Sequence, residues 1–330
     1  VTRLPAGLCL AGLLAGCGGT QSMTGGGGLQ GEQFNRLFTL FMGITGFFYV
    51  LVIVGMLAGI AIRGRAAGTE RGERLARTAL LGWIAAVVLG LTVLTVGSYA
   101  SERRVSAAIP ARPPLEVQIT ANQWWWDITY KNAVPANELR TANELHLPVG
   151  VPVKVTLKSN DVIHSFWIPS LAGKQDLIPG RVNDLLLLPT RTGQFRGQCA
   201  EFCGTQHAHM ALDVTVEPVA SFRRWQQAQL APAAPPSTPL AQAGHDLVMS
   251  QQCASCHAIA GTPASARFGP DLTHLASRRS IAAGTLPMTR GHLYAWIADP
   301  QGVKPGNNMP YIGFDSAKLH AVVAYLQGLK

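Results

Sequence analysis

Two long apolar runs without a single charge, Leu37 to Ile62 and Ala79 to Ala100, restrict this chain more than any other feature. Each is long enough for a tilted helix across a hydrocarbon core of about 30 Å. Between them lies a short loop carrying Arg63, Arg65, Arg71, Arg74 and Arg77. Basic residues are retained on the cytoplasmic side of membrane helices, so the loop is placed inside and both outer ends of the hairpin outside. Everything after Ser101 is then extracytoplasmic.

That loop also accounts for much of the formal net charge of +9. From Arg112 to Leu230 there are eleven basic and ten acidic residues, and from Ala231 onward seven and four. No basic stripe remains to bind nucleic acid. Ahead of the hairpin, residues 1–16 hold Arg3, a short apolar stretch and then Leu14-Ala15-Gly16-Cys17, which resembles a bacterial lipobox. Such a signal is removed, leaving a lipid on Cys17; an ordinary secretory signal with a chance cysteine is the alternative.

At 330 residues the chain has room for two or three units. Residues 17–104 form a spacer, rich in glycine at Gly25 to Gly28, and the two membrane helices. Over 112–220 the texture changes to short alternating runs, among them Leu115 to Thr120, Val151 to Leu157 and Leu212 to Glu217, broken by Pro, Gly and Asn. These predict a Greek-key β-sandwich or barrel. Residues 221–241 read as a short polar helix and a stiff proline-rich linker from Ala231 to Pro239. Residues 242–330 read as an all-α domain with a helix near Gly244 to Gln252 and a last one near Ser316 to Leu329.

Six cysteines occur in pairs, and two pairs lie in dense motifs. The first motif is Cys199-Ala-Glu-Phe-Cys203-Gly-Thr-Gln-His207-Ala-His-Met210, with His164 well upstream. Two thiolates able to bridge a pair of coppers, with imidazoles and a soft thioether at the ends, form a donor set for copper electron transfer. A tetrahedral zinc held by the cysteines and histidines is an alternative that gives Met210 no role, and a Cys199–Cys203 disulfide is another. His209 reads as a surface histidine or one packed behind the ligands, rather than a ligand. The second motif, Cys253-Ala-Ser-Cys256-His257, is the attachment sequence of c-type haem: two thioethers and an axial imidazole. The sixth ligand comes from Met288 or Met309. His245, His274, His292 and His320 have no partner motif and read as surface or interior residues.

The first motif resembles the CuA site of cytochrome c oxidase subunit II over roughly Val117 to Glu217, and the second a class I cytochrome c. The resemblance implies a cupredoxin-like sandwich in which Cys199 and Cys203 bridge the dinuclear copper CuA, His164 and His207 supply imidazoles, and Met210 the weak thioether. It implies that the Glu201 carbonyl ligates copper while its side chain reaches magnesium at the subunit I interface. Trp124, first of the Trp124-Trp125-Trp126 run, matches the family's point of electron input; Trp125 and Trp126 read as core or interface aromatics. Arg181 matches a family loop and is also readable as structural. Phe268-Gly-Pro270 resembles the segment whose proline carbonyl orients the haem histidine, and Met309, in Gly306-Asn-Asn-Met309-Pro310, matches the methionine ligand.

Neither motif offers a nucleophile or an acid–base pair, so the chain by itself carries electrons. The resemblance implies the electron-input subunit of a haem–copper oxidase in the bacterial inner membrane. Electrons would pass from a cytochrome c or a cytochrome bc complex through haem c and CuA to subunit I, with subunit III alongside, reducing oxygen to water with proton pumping. A near-neutral copper domain gives a basic donor little to dock on, which moves docking to the haem domain. The second membrane run lacks the family's usual Leu-Glu then Trp-Thr pattern; Glu73, ahead of Trp83, is the nearest acid. Alternatives are the small subunit of a CuA-type nitric oxide reductase and a membrane-tethered redox shuttle with no oxidase. A quinol oxidase subunit is disfavoured, since that relative lacks the copper ligands. Mass spectrometry of the mature N-terminus is expected to find a lipid-modified Cys17; an unmodified residue upstream of it would refute the lipid anchor.

Overall fold

The computed structural model describes residues 18–61, 69–108, 113–250 and 252–330. The signal stretch 1–16 with Cys9, the lipid candidate Cys17, the hairpin arginines Arg63 and Arg65, and Arg112 lie outside the described residues. The chain divides into two compact units, the helical hairpin over Glu32–Pro110 and the remainder.

In the hairpin, α1 (Leu29–Ala61) and α2 (Glu70–Ala108) are both long and apolar enough to cross a membrane. Both run past the uncharged stretches, because helix formers such as Glu70, Arg71 and Arg74 continue the backbone hydrogen bonding into a polar setting. The helices meet where glycine removes bulk: a Cβ on Gly90 would approach the Phe48 ring to 3.1 Å, and one on Gly97 the Leu40 side chain to 3.2 Å. Phe48 also meets Trp83 edge to face at 5.3 Å. Small residues at such contacts let membrane helices pack closely.

The second unit begins with a β-sandwich of ten strands. They are β1 (Leu115–Asn122), β2 (Trp125–Tyr130), β3 (Leu139–Ala142), β4 (Glu144–Pro148), β5 (Val153–Ser159), β6 (His164–Trp167), β7 (Gln175–Leu177), β8 (Asn183–Leu187), β9 (Gly193–Cys199) and β10 (Ala211–Glu217). One sheet has the order β3-β2-β1-β5-β8 and the other β4-β10-β9-β6-β7. Pairing is antiparallel except for β1 with β5 and β4 with β10. The alternation predicted from sequence is present: Val153, Val155 and Leu157 of β5 are buried while Lys154 and Thr156 are not. Register places Ile119 opposite both Ile128 and Leu157, all three without solvent exposure. After β10, α3 (Val219–Gln229) packs Phe222 and Trp225 against Tyr130.

The glycine-rich stretch before α1 is a strap on this sandwich rather than a free spacer. Gly27 donates its N–H to the Ser170 carbonyl at 2.7 Å and accepts from Thr190 at 2.9 Å. A Cβ on Gly28 would lie 2.7 Å from the Leu171 carbonyl oxygen, which explains the glycine there.

The C-terminal domain contains α4 (Pro239–Ser250), α5 (Cys253–Cys256), a small hairpin of β11 (Ser280–Ile281) and β12 (Leu286–Pro287), α6 (Arg290–Ala298), α7 (Pro300–Val303) and α8 (Ser316–Leu326). Thr289 and Asp315 cap α6 and α8 by accepting from the backbone N–H of His292 and Lys318. The proline-rich linker is irregular yet held: the Ala233 N–H donates to the Ala260 carbonyl at 2.9 Å, and His274 reaches the Ala231 carbonyl at 3.1 Å. The domain's core is closed by α4 against α8, where a Cβ on Gly244 would stand 1.9 Å from the Ala321 carbonyl oxygen. Because that obstacle is backbone, Gly244→Val must part the helices. It is expected to cost about 3 kcal/mol, read as a lower thermal midpoint of the haem signal while the sandwich melts unchanged.

Candidate redox sites

β9 ends at Cys199 and β10 begins at Ala211, and the loop between them is hung from two rigid strands. The Cys199 N–H donates to the Met210 carbonyl at 3.0 Å, closing the loop's base. Within it the Sγ atoms of Cys199 and Cys203 are 3.7 Å apart, far longer than the roughly 2.05 Å of a disulfide. Around them stand Nδ1 of His164, 3.8 Å from the Cys199 sulfur, and Nδ1 of His207, 3.6 Å from the Cys203 sulfur. Met210 Sδ is 3.9 Å from the Cys203 sulfur, and the Glu201 carbonyl oxygen is 3.3 Å from that of Cys199. All six sequence-predicted donors therefore converge. His164, Cys199 and Cys203 present ligand atoms within 4.8 Å of one another.

The donor set suits a soft metal. His164 turns Nε2 to the Asp161 carboxylate at 2.7 Å and leaves Nδ1 facing the sulfurs. Such an outer carboxylate fixes the tautomer of a ligating imidazole. Burial works against the His164 cation, but the hydrogen bonds and charges of Asp161 and Cys199 together outweigh it and raise the pKa. The two thiols share a hydrogen bond that pulls Cys199 down to about 3 and pushes Cys203 up, so the pair gives up one proton readily and keeps the other. A metal would displace that remaining proton. Asp161 was not assigned a role from sequence; its position three residues before His164 was the available signal. His209 is exposed and takes no part through its ring, and Arg181 is likewise exposed. The Glu201 side chain, half-exposed, lies 3.4 Å from Lys174 Nζ.

The second site is a cavity of about 300 Å³ whose lining includes Cys253, Cys256, His257 and Met309. His257 donates Nδ1–H to the Pro270 carbonyl at 2.7 Å, so its other nitrogen is the free donor. A Cβ on Gly269 would lie 2.7 Å from the imidazole, which explains glycine before Pro270. Burial lowers the His257 pKa and so favours the neutral, ligating form. Met309 is held by its N–H on Asn307 Oδ1 at 2.7 Å and by Gln301 Nε2 on its carbonyl at 3.0 Å. Met288 packs on the domain core and does not line the cavity. Arg278, also on the cavity wall and only 7 % exposed, leaves its Nε without a hydrogen bond. That Nε already stands 3.6 Å from the Glu144 carboxylate, so the fit to haem rests on the Cys253/Cys256 pair, the free nitrogen of His257 and Met309, all lining the cavity. The residues fit the group.

The cavity is closed on one side by the copper domain. Trp124 and Trp125 line it, and Trp124 donates its indole N–H to the Cys203 carbonyl at 2.8 Å. Gln123 Nε2 donates to the same oxygen at 2.7 Å. Trp126 is wholly buried in the sandwich.

A fold of membrane hairpin, sandwich and helical domain, with a thiolate–imidazole–thioether cluster and a Cys-x-x-Cys-His cavity, defines a copper- and haem-binding electron carrier. Residues 132–217 match the family described as cytochrome C oxidase subunit II, periplasmic domain, and residues 241–330 match cytochrome c. The chain is 36% identical over 215 residues to cytochrome c oxidase subunit 2 of Alkalihalophilus pseudofirmus, covering 65% of this chain and 61% of the relative. Identity to the Bacillus subtilis protein of that name is 32% over 231 residues, covering 67% and 64%. For that of Bacillus sp. strain PS3 it is 32% over 251 residues, covering 72% and 69%. This chain belongs to the cytochrome c oxidase subunit 2 family and carries a cytochrome c domain behind its copper domain. It spans a little under two thirds of the length of the first two relatives. The matches imply copper in one domain and haem c in the other, on a membrane-anchored subunit whose copper domain is extracytoplasmic. With haem bound, Met309→Ala is expected to abolish the absorption signature of a methionine-ligated haem; its persistence would return the sixth ligand to Met288.

Proposed function

We propose that this chain is the electron-input subunit of a haem–copper cytochrome c oxidase in the bacterial inner membrane. Cytochrome c or a cytochrome bc complex supplies electrons, and subunit I, accompanied by subunit III, uses them to reduce oxygen to water with proton pumping. The observation that carries this reading is the position of Trp124, which walls the haem cavity and hydrogen-bonds the carbonyl of the copper-loop residue Cys203.

Cys199, Cys203, His164, His207, Met210 and the Glu201 carbonyl would hold the dinuclear CuA centre, and Cys253, Cys256, His257 and Met309 the haem. The bound groups supply reversible one-electron chemistry. The protein's share is to keep the donors fixed, so that little rearrangement accompanies each electron. Strands β9 and β10 hold the loop, Asp161 holds the His164 ring, and Pro270 holds His257. Trp124, 8 % exposed, is the bridge between the two sites.

Ile163 and Phe202, each next in sequence to a copper ligand, are 45 % and 77 % exposed. Apolar side chains left in water beside a redox centre give an acceptor subunit a face to cover. Magnesium at Glu201 is less well provided for: this chain offers one carboxylate with a lysine beside it, so oxygen donors from subunit I would have to complete the site.

Purification of the chain from its native membrane, with metal and haem analysis, tests the reading. About two coppers and one covalent haem per chain are expected, as the paired motifs require, together with a haem–copper partner that consumes oxygen. Nitric oxide turnover by that partner would make the complex a reductase, and the absence of any partner would leave a tethered shuttle.

A further inference from the structure

Lys304 belongs to the haem domain, yet it is 2 % exposed and its ammonium is spent on carbonyls from three separate segments. It donates to Trp124 O at 2.8 Å in the β1–β2 turn, to His209 O at 2.8 Å in the copper-ligand loop, and to Ala282 O at 3.0 Å in the β11–β12 turn. Three N–H groups meet three acceptors, and none is left over. Burial pulls the lysine's pKa down to about 7. A buried cation stripped of such partners is costly, so the arrangement holds only while all three segments are assembled.

The surrounding contacts have the same direction. Gln206, beside His207, donates to the Pro305 carbonyl at 2.9 Å. A Cβ on Gly306 would touch Thr205 at 3.3 Å and the Trp124 ring at 3.6 Å, so the two loops are in contact. On the other side, the Ala211 N–H, first in β10 after Met210, donates to the Ala283 carbonyl at 2.9 Å. Ala282 and Ala283 both have positive φ, 52° and 58°, a region that side chains with a Cβ disfavour. In that conformation both of their carbonyls serve this interface. The segment from Lys304 to Met309 thus carries the docking cation at one end and the haem's methionine at the other.

We propose that Lys304 is a positioning residue that pins the methionine loop of the haem domain to the copper-ligand loop, so that both redox sites ride on one rigid body. The proposal rests on the relay described above. It assigns Lys304, which also lines the haem cavity, a part in transfer between the sites by holding the two loops together with all three of its N–H groups.

The test uses the full chain carrying both cofactors, with Lys304→Met, which keeps an unbranched side chain one atom shorter and removes its three donors. Transfer from haem to copper after rapid reduction of the haem is expected to slow by about tenfold or more, as loss of a positioning contact would produce. The methionine-ligated haem spectrum and the copper spectrum are expected to be retained. Hydrogen exchange at the Ala211 amide is expected to be slow in the wild type and to quicken in the variant. Unchanged transfer and unchanged exchange in K304M would overturn the proposal. If K304M cannot hold both cofactors, the wild type decides: an Ala211 amide that exchanges as freely as one facing solvent also overturns it. If the wild type passes no electron from haem to copper, the relay reading fails, and the pin is then judged on exchange alone.

Discussion

The carbonyl oxygen of Cys203 is the junction on which the rest of this molecule depends. It accepts from both Trp124 Nε1 and Gln123 Nε2, at 2.8 and 2.7 Å. The two donors come from the β1–β2 turn, in the opposite sheet from the strands that carry the copper loop. One oxygen therefore ties the sheets together at the point where the thiolates emerge. It also fixes the indole plane that walls the haem cavity. If the bond were lost, the loop and the tryptophan would move independently, and a buried carbonyl would be left without partners.

Around that junction the protein solves a conflict between solvation and charge. Thiolates, imidazoles and a thioether are brought into an interior where unpaired charge is costly. Asp161 is the counterweight: it accepts from His164, and it also accepts the backbone N–H groups of Gln123 and Val162 at 2.6 and 2.7 Å. Burial tends to raise its pKa, and these hydrogen bonds hold it low regardless. The carboxylate is thus kept ionised behind the imidazole, which keeps His164 oriented toward the sulfurs. The haem histidine is treated differently, with a neutral carbonyl behind it and a lowered pKa, as befits a ring that must stay neutral.

Much of this was legible in the sequence because the chemistry is local. Cys199, Cys203, His207 and Met210 lie on one loop, and Cys253, Cys256 and His257 on one short helix with its C-cap, so spacing alone brings their atoms together. The strands were legible for the same reason, from alternation such as that in β5. What escaped were contacts made by backbone carbonyls and by residues distant in sequence. Lys304 is one of seven basic residues from Ala231 onward, and nothing in its flanks announces partners at Trp124 and His209. The strap at Gly27 and Gly28 read as a spacer because glycine looks the same in a flexible linker and beneath a packed phenylalanine. The linker beyond Ala231 read only as a stiff spacer because its composition hides the hydrogen bonds that Ala260 and His274 offer.

The fused domain alters which surface faces a donor. In a sandwich standing alone, Trp124 would border solvent beside the copper loop. Here it is 8 % exposed, covered by the loop of Gly306 and the cavity that Met309 lines. Tethering by itself raises the effective concentration of one domain near the other. If Lys304 docks the domain as proposed, the haem domain has no search to make, and the indole is covered on that side. On the relay proposed above, an electron from outside enters through the haem domain, because the indole it would otherwise use is covered. That consequence follows from which side chains are covered, and it needs no charged landing site on the copper domain, where basic and acidic residues nearly cancel.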